Sequence, residues 1–370
     1  MTTAPVPRPG ILDIAPYVGG EAHVPGATRL IRLASNEGAL GPSPRAMDAY
    51  VAGAAELHRY PDGGSTALRE ALGRHHGLDP ARIVCGSGSD ELIALLVRSY
   101  VGPGDEIVYS RHGFLMYPIA AKAAGASPVA APEKGLRTDV DAMLAAVTGR
   151  TRIVFVANPN NPTGSFLAPD EIRRLHAGLP GHVLLVVDAA YAEYVDRPDY
   201  SAGAELVDEA ANVVMTRTFS KIYALGSVRL GWAYCGAGVA DVLNRVRGPF
   251  NVSSAAQIAG LAALEDQDFV DRSRRHNDVW RAWLSERLTE LGLRVHPSVA
   301  NFVLVGFAGS GGHNDPAEAA RQYLKKHGIL VRQMGAYGLP DCLRITIGTE
   351  DEMRTVAGTL ESFLKGPDNG

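Results

Sequence analysis

The stretch Val183-Leu184-Leu185-Val186-Val187-Asp188 decides the fold, because it is an apolar run that ends on a carboxylate. The run Ile153-Val154-Phe155-Val156 has the same character. Neither run alternates apolar with polar side chains, as a strand with one solvent-exposed face would, so both are predicted to be strands buried on both faces. Similar short apolar runs alternate with helix-length stretches between about residues 79 and 235. This rhythm predicts an α/β fold with a mainly parallel sheet between helices.

The pattern changes after residue 248, where longer helical stretches dominate. One helical stretch is predicted over Ala255–Leu291 and another over Pro316–His327, and the short apolar runs between and after them predict strands. This part is therefore predicted to be a smaller α+β domain. The expected division is residues 1–44 as an N-terminal segment and part of the small domain, 45–248 as the large domain, and 249–370 as the small C-terminal domain.

Composition restricts the classes of partner. The 36 Lys and Arg residues against 40 Asp and Glu residues give a formal net charge of -4, which is too balanced for nucleic acid or an anionic membrane, so a small-molecule ligand is expected. No apolar run is long enough to span a membrane, and the first ten residues lack the features of a secretory signal. The cysteines at 85, 235 and 342 fit neither a disulfide framework nor metal-ligand spacing, so no metal site and a cytoplasmic location are expected.

Polar side chains follow several predicted strands at the point where each strand ends. Asp188 ends one strand, Asn161 lies in the Asn-Pro loop after another, and Lys221 follows the strand near residues 213–216. Ligands of open α/β sheets collect at the carboxyl ends of the strands. A lone lysine here would more often be a surface charge, but the acid and the amide predicted at the same edge favour a binding site.

The segment Gly86-Ser87-Gly88-Ser89-Asp90-Glu91 lies between a predicted strand and a predicted helix. Glycines, hydroxyls and free backbone N–H groups at a helix N-terminus can bind an anion, although a simple helix cap explains Ser89 or Asp90 equally well. With the phenol of Tyr191 and the guanidinium of Arg229, the sequence holds an amine, an acid, an amide, a phenol, a cation and a phosphate-sized helix terminus. These are the parts needed to hold pyridoxal 5'-phosphate (PLP).

In order and spacing, these segments resemble the fold-type I PLP-dependent enzymes, and among them the class I/II aminotransferases, especially the branch that acts on histidinol phosphate. The resemblance covers nearly the whole chain, including Leu33–Glu37, Gly41–Pro44, Arg59–Asp62 and Leu343–Gly348. It implies a large PLP-binding domain, a small domain built from both termini, and amino transfer between histidinol phosphate and 2-oxoglutarate in histidine biosynthesis. The implied partners are a small-molecule amino donor and a 2-oxo acid acceptor.

The resemblance also implies roles at the reacting end of the cofactor. Lys221 is expected to bond covalently to PLP and to move the proton between the substrate's Cα and the cofactor's C4′. Asp188 is expected to pair with the ring nitrogen and keep it protonated. Asn161 and Tyr191 are expected to contact the cofactor's phenolic oxygen, and Phe114 to stack on the ring.

Further residues are assigned by the same resemblance to the anionic groups of cofactor and substrate. The backbone N–H groups of Ser89 and Asp90, the hydroxyl of Ser220 and the guanidinium of Arg229 are expected to bind the PLP phosphate. Tyr60 is expected to reach the cofactor phosphate of a neighbouring subunit, which implies a homodimer with shared active sites. The substrate would meet a set of side chains near the domain junction: Arg344 at its α-carboxylate, and Arg332, Asn36 and Tyr17 toward its distal end.

Two segments depart from the family pattern and leave the substrate open. His112-Gly113 replaces a frequent Pro-Thr before Phe114, and Asn36-Glu37-Gly38-Ala39 replaces a frequent Asn-Glu-Asn-Pro. The nearest alternative is an aminotransferase for phenylalanine or tyrosine, followed by a PLP-dependent decarboxylase of a phosphorylated amino acid. A transcription regulator with an aminotransferase-like sensor is disfavoured, because only some 30 residues precede Asn36 and both Lys221 and Asp188 are retained.

Overall fold

A seven-stranded sheet and a five-stranded sheet organise the chain, whose computed structural model describes residues 5–17, 19–24, 29–309 and 315–366. The strands are β1 Ile31–Leu33, β2 Ile83–Gly86, β3 Glu106–Ser110, β4 Ser127–Ala131, β5 Glu133–Lys134, β6 Arg137–Thr138, β7 Thr151–Ala157, β8 Leu184–Asp188, β9 Val213–Thr218, β10 Gly231–Cys235, β11 Arg294–His296, β12 Phe302–Gly306, β13 Ile329–Gln333 and β14 Cys342–Thr346.

Helices cover both sheets. They are α1 Pro44–Gly53, α2 Thr66–His76, α3 Ser89–Tyr100, α4 Met116–Ala124, α5 Val140–Ala145, α6 Pro169–Ala177, α7 Ala204–Glu209, α8 Ala237–Val246, α9 Ser254–Glu265, α10 Gln267–Glu290, α11 Pro316–Lys326 and α12 Glu350–Lys365. Short 3₁₀ turns lie at Ala54–Glu56, Pro80–Arg82, Ala192–Tyr194, Gly226–Val228 and Gly335–Tyr337. Within the described ranges, no helix is both long and apolar enough to cross a bilayer.

The seven-stranded sheet has the order β2-β10-β9-β8-β7-β3-β4, and only β10 runs antiparallel to its neighbours. In β8, Leu185 and Val187 pack into the core on one face, while Leu184 and Val186 pack into the core on the other. A strand covered by helices on both faces has no side for polar residues, which explains the uninterrupted apolar run. The predicted α/β class with a mainly parallel sheet is confirmed.

The small domain contains the five-stranded sheet, in the order β1-β13-β14-β12-β11. Strand β1 comes from the N-terminal segment and pairs in parallel with β13, from Ile31 opposite Ile329 to Leu33 opposite Val331. This pairing confirms a small domain built from both termini, although no strand was predicted separately for β1. The domain boundaries at residues 44 and 248 stay a prediction.

The prediction of one helical stretch over Ala255–Leu291 is wrong, because two helices occupy these residues. Helices α9 and α10 meet at Asp266, whose backbone leaves the helical conformation (φ -93°, ψ 64°). The Asp266 carboxylate accepts a hydrogen bond of 2.7 Å from Ser43 Oγ, the N-cap of α1. A long-range contact with the N-terminal part of the chain therefore fixes the break, and no local sequence signal marks it.

The strands that frame the candidate site end side by side. In the parallel ladders, Asp188 of β8 is opposite Ala157 of β7 and Thr216 of β9. The segments that leave β7, β8 and β9 therefore start at the same edge of the sheet. This register brings the loop containing Asn161, the Asp188 carboxylate and the segment leading to Lys221 together.

A buried ion pair connects the segment that follows β8 to strand β9. Arg217 Nη2 of β9 lies 2.8 Å from Glu193 Oε1 in the turn that follows Tyr191, and the two side chains are only 9% and 8% exposed. Arg217 also lies over the Trp232 ring, 5.6 Å from its centroid. The pair thus ties the strand that leads to Lys221 to the turn that carries Tyr191.

We predict that Glu193→Ala lowers the free energy of unfolding by about 3–5 kcal/mol, because it leaves the Arg217 charge buried without its partner. Glu209→Ala is the matched control, since Glu209 pairs with Arg173 at the surface and should cost less than about 1 kcal/mol. Denaturant unfolding of both variants measures the difference. Equal costs would contradict a structural role for the buried pair.

Candidate active site

A cavity of about 340 Å³ opens at the carboxyl ends of β7, β8 and β9, where the two sheets meet. This volume lies within the range of small-molecule and cofactor sites. The cavity is lined by all of the sequence-predicted site residues except Tyr60: Tyr17, Asn36, Ser89, Asp90, Phe114, Asn161, Asp188, Tyr191, Ser220, Lys221, Arg229, Arg332 and Arg344.

Lys221 lies just beyond the end of β9 and reaches into the cavity. Its Nζ donates a hydrogen bond of 3.2 Å to the backbone oxygen of Ser35. Burial in the cavity, and then the nearby Arg344 guanidinium, lower the pKa of the Lys221 amine to about 8. A larger fraction of this amine is therefore neutral near neutral pH than for an ordinary lysine, and the neutral amine is the nucleophilic form.

Asp188 is a buried carboxylate at the end of β8. The Tyr117 hydroxyl donates a hydrogen bond of 2.8 Å to its Oδ2, and the Thr216 hydroxyl donates one of 3.3 Å to its Oδ1. Burial raises the pKa of Asp188 to about 6, although the Tyr117 hydrogen bond favours the ionised form. Within the described ranges no lysine, arginine or histidine forms an ion pair with it. A cationic group of a ligand is the missing partner that this environment favours.

Asn161, Tyr191 and Arg344 lie beside each other on the small-domain side of the cavity. Asn36 Nδ2 donates a hydrogen bond of 2.9 Å to the Tyr191 hydroxyl. Arg344 donates to Asn161 Oδ1, and also to the backbone oxygen of Ala34 at 2.8 Å. Its Nε is buried and has no hydrogen-bond partner in the described part of the chain. Arg344 lines the cavity and gives this side of it a cationic group.

The N-terminus of α3 forms the opposite end of the cavity. Arg229 Nη2 lies 3.2 Å from Asp90 Oδ2, and Arg229 Nη1 donates to Ser220 Oγ at 3.2 Å. Gly88, which precedes α3, has a φ of +85°, and a Cβ there would lie 2.3 Å from Arg229 Nη2. The positive φ favours glycine at this position, and a Cβ there would displace the guanidinium that crosses the loop. Backbone N–H groups, a hydroxyl and a guanidinium converge here, as in an anion site.

Two other predicted residues lie on the cavity walls. The ring of Phe114 is half-buried and packs edge-on against Tyr117, with centroids 5.9 Å apart. The Arg332 guanidinium lies 6.0 Å from the centroid of the Tyr17 ring. In the sheet, Arg332 of β13 is opposite Arg344 of β14. The cavity therefore has cationic side chains at both ends.

Tyr60 is the predicted site residue that this chain does not bring into the cavity. Its side chain is 83% exposed and stacks on Phe250, with ring centroids 4.8 Å apart. A role for Tyr60 in the site of a neighbouring subunit stays a prediction.

The sequence did not predict Tyr117 and Thr216 as site residues. Their hydroxyls donate hydrogen bonds to the Asp188 carboxylate. Thr216 could have been found, because a parallel neighbour of β8 places it opposite Asp188. Tyr117 lies on the first turn of α4, and its ring stacks on Phe155 at 4.4 Å between centroids. Only the way α4 packs on the sheet shows that its hydroxyl reaches the carboxylate.

We predict that Gly88→Ala displaces the Arg229 guanidinium and weakens binding of PLP to the cofactor-free protein about tenfold, since charge-assisted hydrogen bonds to the phosphate are lost. Gly104→Ala is the control, because Gly104 also has a positive φ (+90°) but nothing within 4 Å of a Cβ. Calorimetric titration with PLP compares the two variants. Equal affinities would contradict the assignment of this end as the anion site.

Comparison with known proteins gives a consistent result. Residues 28–360 match the family described as aminotransferase class I and II. The histidinol-phosphate aminotransferase of Rhodospirillum centenum is 67% identical, covering 98% of this chain and 100% of the relative, and that of Paramagnetospirillum magneticum is 60% identical, covering 98% and 99%. The crystal structure of histidinol-phosphate aminotransferase from Sinorhizobium meliloti in complex with PLP superposes with a TM-score of 0.89 at 32% identity, covering 97% of both chains. The resemblance found in the sequence is confirmed: this chain belongs to the class I and II aminotransferases.

Proposed function

We propose that this protein is a PLP-dependent transaminase that interconverts histidinol phosphate and 2-oxoglutarate with imidazole-acetol phosphate and glutamate, a reaction of histidine biosynthesis. The observation that carries the proposal is one cavity that joins the Lys221 amine, the Asp188 carboxylate without a cationic partner, and cationic side chains at both ends. Two relatives, which are 67% and 60% identical to this chain over nearly their full length, are named for this activity.

The donor set of the cavity fits PLP. The cofactor has an aldehyde, a phenolic oxygen, a basic ring nitrogen and a phosphate, and the cavity offers an amine, an amide with a phenol, a carboxylate and an anion site in matching number. When bound, PLP supplies a ring that accepts the electrons released at the substrate's Cα. The protein supplies covalent attachment through Lys221, positioning and proton transfer.

Lys221 and Asp188 are the proposed catalytic residues at the reacting end. Lys221 Nζ holds the cofactor covalently and, once released, removes the proton from the substrate's Cα. Its lowered pKa leaves part of the amine neutral and able to accept that proton. Asp188 holds a proton at the ring nitrogen, because an opposite charge in a buried site favours the protonated ring. Asn161 and the Tyr191 hydroxyl orient the phenolic oxygen.

The remaining cofactor contacts are proposed for the anion end and the ring face. The N–H groups of Ser89 and Asp90, the Ser220 hydroxyl and the Arg229 fork bind the phosphate. Phe114 covers the ring and, because it is apolar, keeps water from that face. These contacts fix the cofactor relative to Lys221.

The second cationic end supports a substrate with an anionic group beside the reacting carbon. Histidinol phosphate carries a phosphate ester on the carbon attached to Cα, at the place where an amino acid has its carboxylate carbon, and glutamate carries two carboxylates. Arg344 can receive the group next to Cα, and Arg332 with Tyr17 and Asn36 can receive charge farther away. Histidinol phosphate and phenylalanine each carry one anionic group, but a phosphate monoester carries more negative charge than a carboxylate and so makes fuller use of the neighbouring Arg344 and Arg332 guanidiniums.

We further propose a homodimer that shares its active sites. Exposed apolar side chains cluster around α1 and the loop after it, where Val51 is 67%, Leu57 70% and Tyr60 83% exposed. A second copy that covers this face would bury them and bring Tyr60 to its partner's phosphate site. Sedimentation of the PLP-loaded protein tests this, and a monomer would contradict it.

A cytoplasmic location is also proposed, supported by the three cysteines, which are buried and unpaired in the described residues. Fractionation of cells that produce the protein tests the location. Recovery with secreted proteins would contradict it.

We predict that the purified protein with PLP transfers the amino group of histidinol phosphate to 2-oxoglutarate much faster than that of phenylalanine, since its phosphate is the more highly charged partner for Arg344 and Arg332. Lys221→Ala should fold and show no transfer, because the base at Cα is missing. The measurement is glutamate formation over a panel of amino donors. No turnover of histidinol phosphate would refute the substrate, and activity of Lys221→Ala would refute the role of the lysine.

We predict that Tyr117→Phe raises the pKa of Asp188 further, because the variant loses the hydrogen bond that favours the ionised carboxylate. A protonated Asp188 cannot pair with a protonated ring. The affinity for PLP should therefore fall several-fold at pH 6 and change less at pH 8, where the carboxyl ionises more readily. Titration at both pH values measures this.

Tyr109→Phe is the matched control, because Tyr109 packs edge-on against Tyr117 with centroids 6.4 Å apart. It should leave PLP affinity unchanged at both pH values. A Tyr117→Phe variant that binds PLP like the wild type at pH 6 would contradict the proposed contact.

A further inference from the structure

The segment between α8 and α9 contacts the loop that forms the anion end of the cavity. Asn251 lies in this segment, is half-buried and does not line the cavity. Its hydrogen bonds reach residues 85–91 (the phosphate loop), which connect β2 to α3 and carry the N–H groups proposed to bind the PLP phosphate. Asn251 can therefore act on the anion site only through other residues.

Asn251 holds the phosphate loop at three points. At the beginning of the loop, Asn251 Nδ2 donates a hydrogen bond of 3.3 Å to the backbone oxygen of Cys85. In the middle, the Ser87 hydroxyl donates to the backbone oxygen of Asn251. At the end, Asn251 Nδ2 donates a hydrogen bond of 2.7 Å to Glu91 Oε2, which also accepts one of 2.6 Å from the Ser87 backbone N–H. Because these points span the loop, together they fix its path.

The orientation of the Asn251 amide is fixed from its other end. Arg247 Nη1 donates a hydrogen bond of 3.0 Å to Asn251 Oδ1, so the amide oxygen faces the guanidinium and the NH₂ group faces the phosphate loop. Both partners of the NH₂ group, the Cys85 backbone oxygen and the Glu91 carboxylate, are acceptors. A side chain without N–H donors cannot replace these contacts.

We propose that Asn251 is a positioning residue that holds the phosphate loop in the geometry that binds the PLP phosphate. The N–H groups of Ser89 and Asp90 bind a phosphate only where they point at its oxygens, so a small displacement of the loop weakens these bonds. The inference rests on the proposed PLP site. It implies an effect confined to the phosphate, because the ring nitrogen and the aldehyde are assigned to Asp188 and Lys221 on other segments.

The same segment also reaches the proposed subunit interface. Phe250, next to Asn251, has a φ of 54°, and its ring stacks on Tyr60 with centroids 4.8 Å apart. A change at Asn251 therefore has two routes to a phosphate: the phosphate loop of its own chain, and Tyr60 at the partner's site. A Tyr60→Phe background separates these routes, because it removes the Tyr60 hydroxyl.

The test compares how the cofactor-free protein binds PLP and pyridoxal, which lacks the phosphate. Asn251→Ala should weaken PLP binding about tenfold, with or without Tyr60→Phe, because the phosphate loses charge-assisted hydrogen bonds, and should leave pyridoxal binding unchanged. Asn244→Ala is the matched control. Asn244 also accepts a hydrogen bond from Arg247, at 2.9 Å, but its amide donates to Ala240 of α8. It should change neither affinity in calorimetric titrations.

An equal loss for both ligands would overturn the proposal, because it indicates a general structural role. An unchanged PLP affinity in Asn251→Ala would also overturn it, as would a loss that disappears in the Tyr60→Phe background. Wild-type protein that binds PLP no more tightly than pyridoxal would refute the phosphate site itself, a result distinct from failure of the Asn251 variant.

A second variant applies if Asn251→Ala does not fold. Ser87→Ala removes one hydroxyl, the group that donates to the Asn251 backbone oxygen. It should weaken PLP binding about threefold and leave pyridoxal binding unchanged. Unchanged PLP binding in this variant would overturn the proposal.

Discussion

The Asp188 carboxylate is buried at the end of a central strand, and the described residues supply it with hydroxyl donors but no cation. Isolating a charge from water is unfavourable unless hydrogen bonds or an opposite charge compensate. Burial outweighs these hydrogen bonds and raises the pKa of the carboxyl to about 6. We propose that a protonated ring nitrogen of PLP supplies the compensating charge. The sheet positions this carboxylate. Tyr117, on its helix, and the neighbouring Thr216 orient it toward a ligand by hydrogen bonds.

The same burial acts in opposite directions on the acid and the amine of the cavity. It raises the pKa of Asp188 to about 6 and lowers the pKa of Lys221 to about 8. Both groups therefore change protonation within about a unit of neutral pH, where proton transfer to and from substrate is most efficient. We propose that the cationic ends at Arg229 and Arg344 hold anionic groups on either side, so that the reacting carbon is placed near the Lys221 amine.

Much of this arrangement could be predicted from the sequence, because strands buried on both faces leave a simple pattern. Strand β8 was expected at residues 183–188 and lies at Leu184–Asp188, so Asp188 was correctly placed at a strand end. Contacts between distant segments left no such pattern. The sequence alone gave neither the pairing of β1 with β13, nor the break at Asp266, nor the Tyr117 hydrogen bond, because each depends on how separate elements pack.

If Asp188 keeps the ring nitrogen of bound PLP protonated, the nitrogen-15 NMR spectrum of PLP labelled at that nitrogen and bound to the protein at pH 8 reports it. The wild type should show the chemical shift of a protonated pyridine, and Asp188→Asn should lose it. The shift of an unprotonated pyridine in the wild-type protein would contradict this role of Asp188.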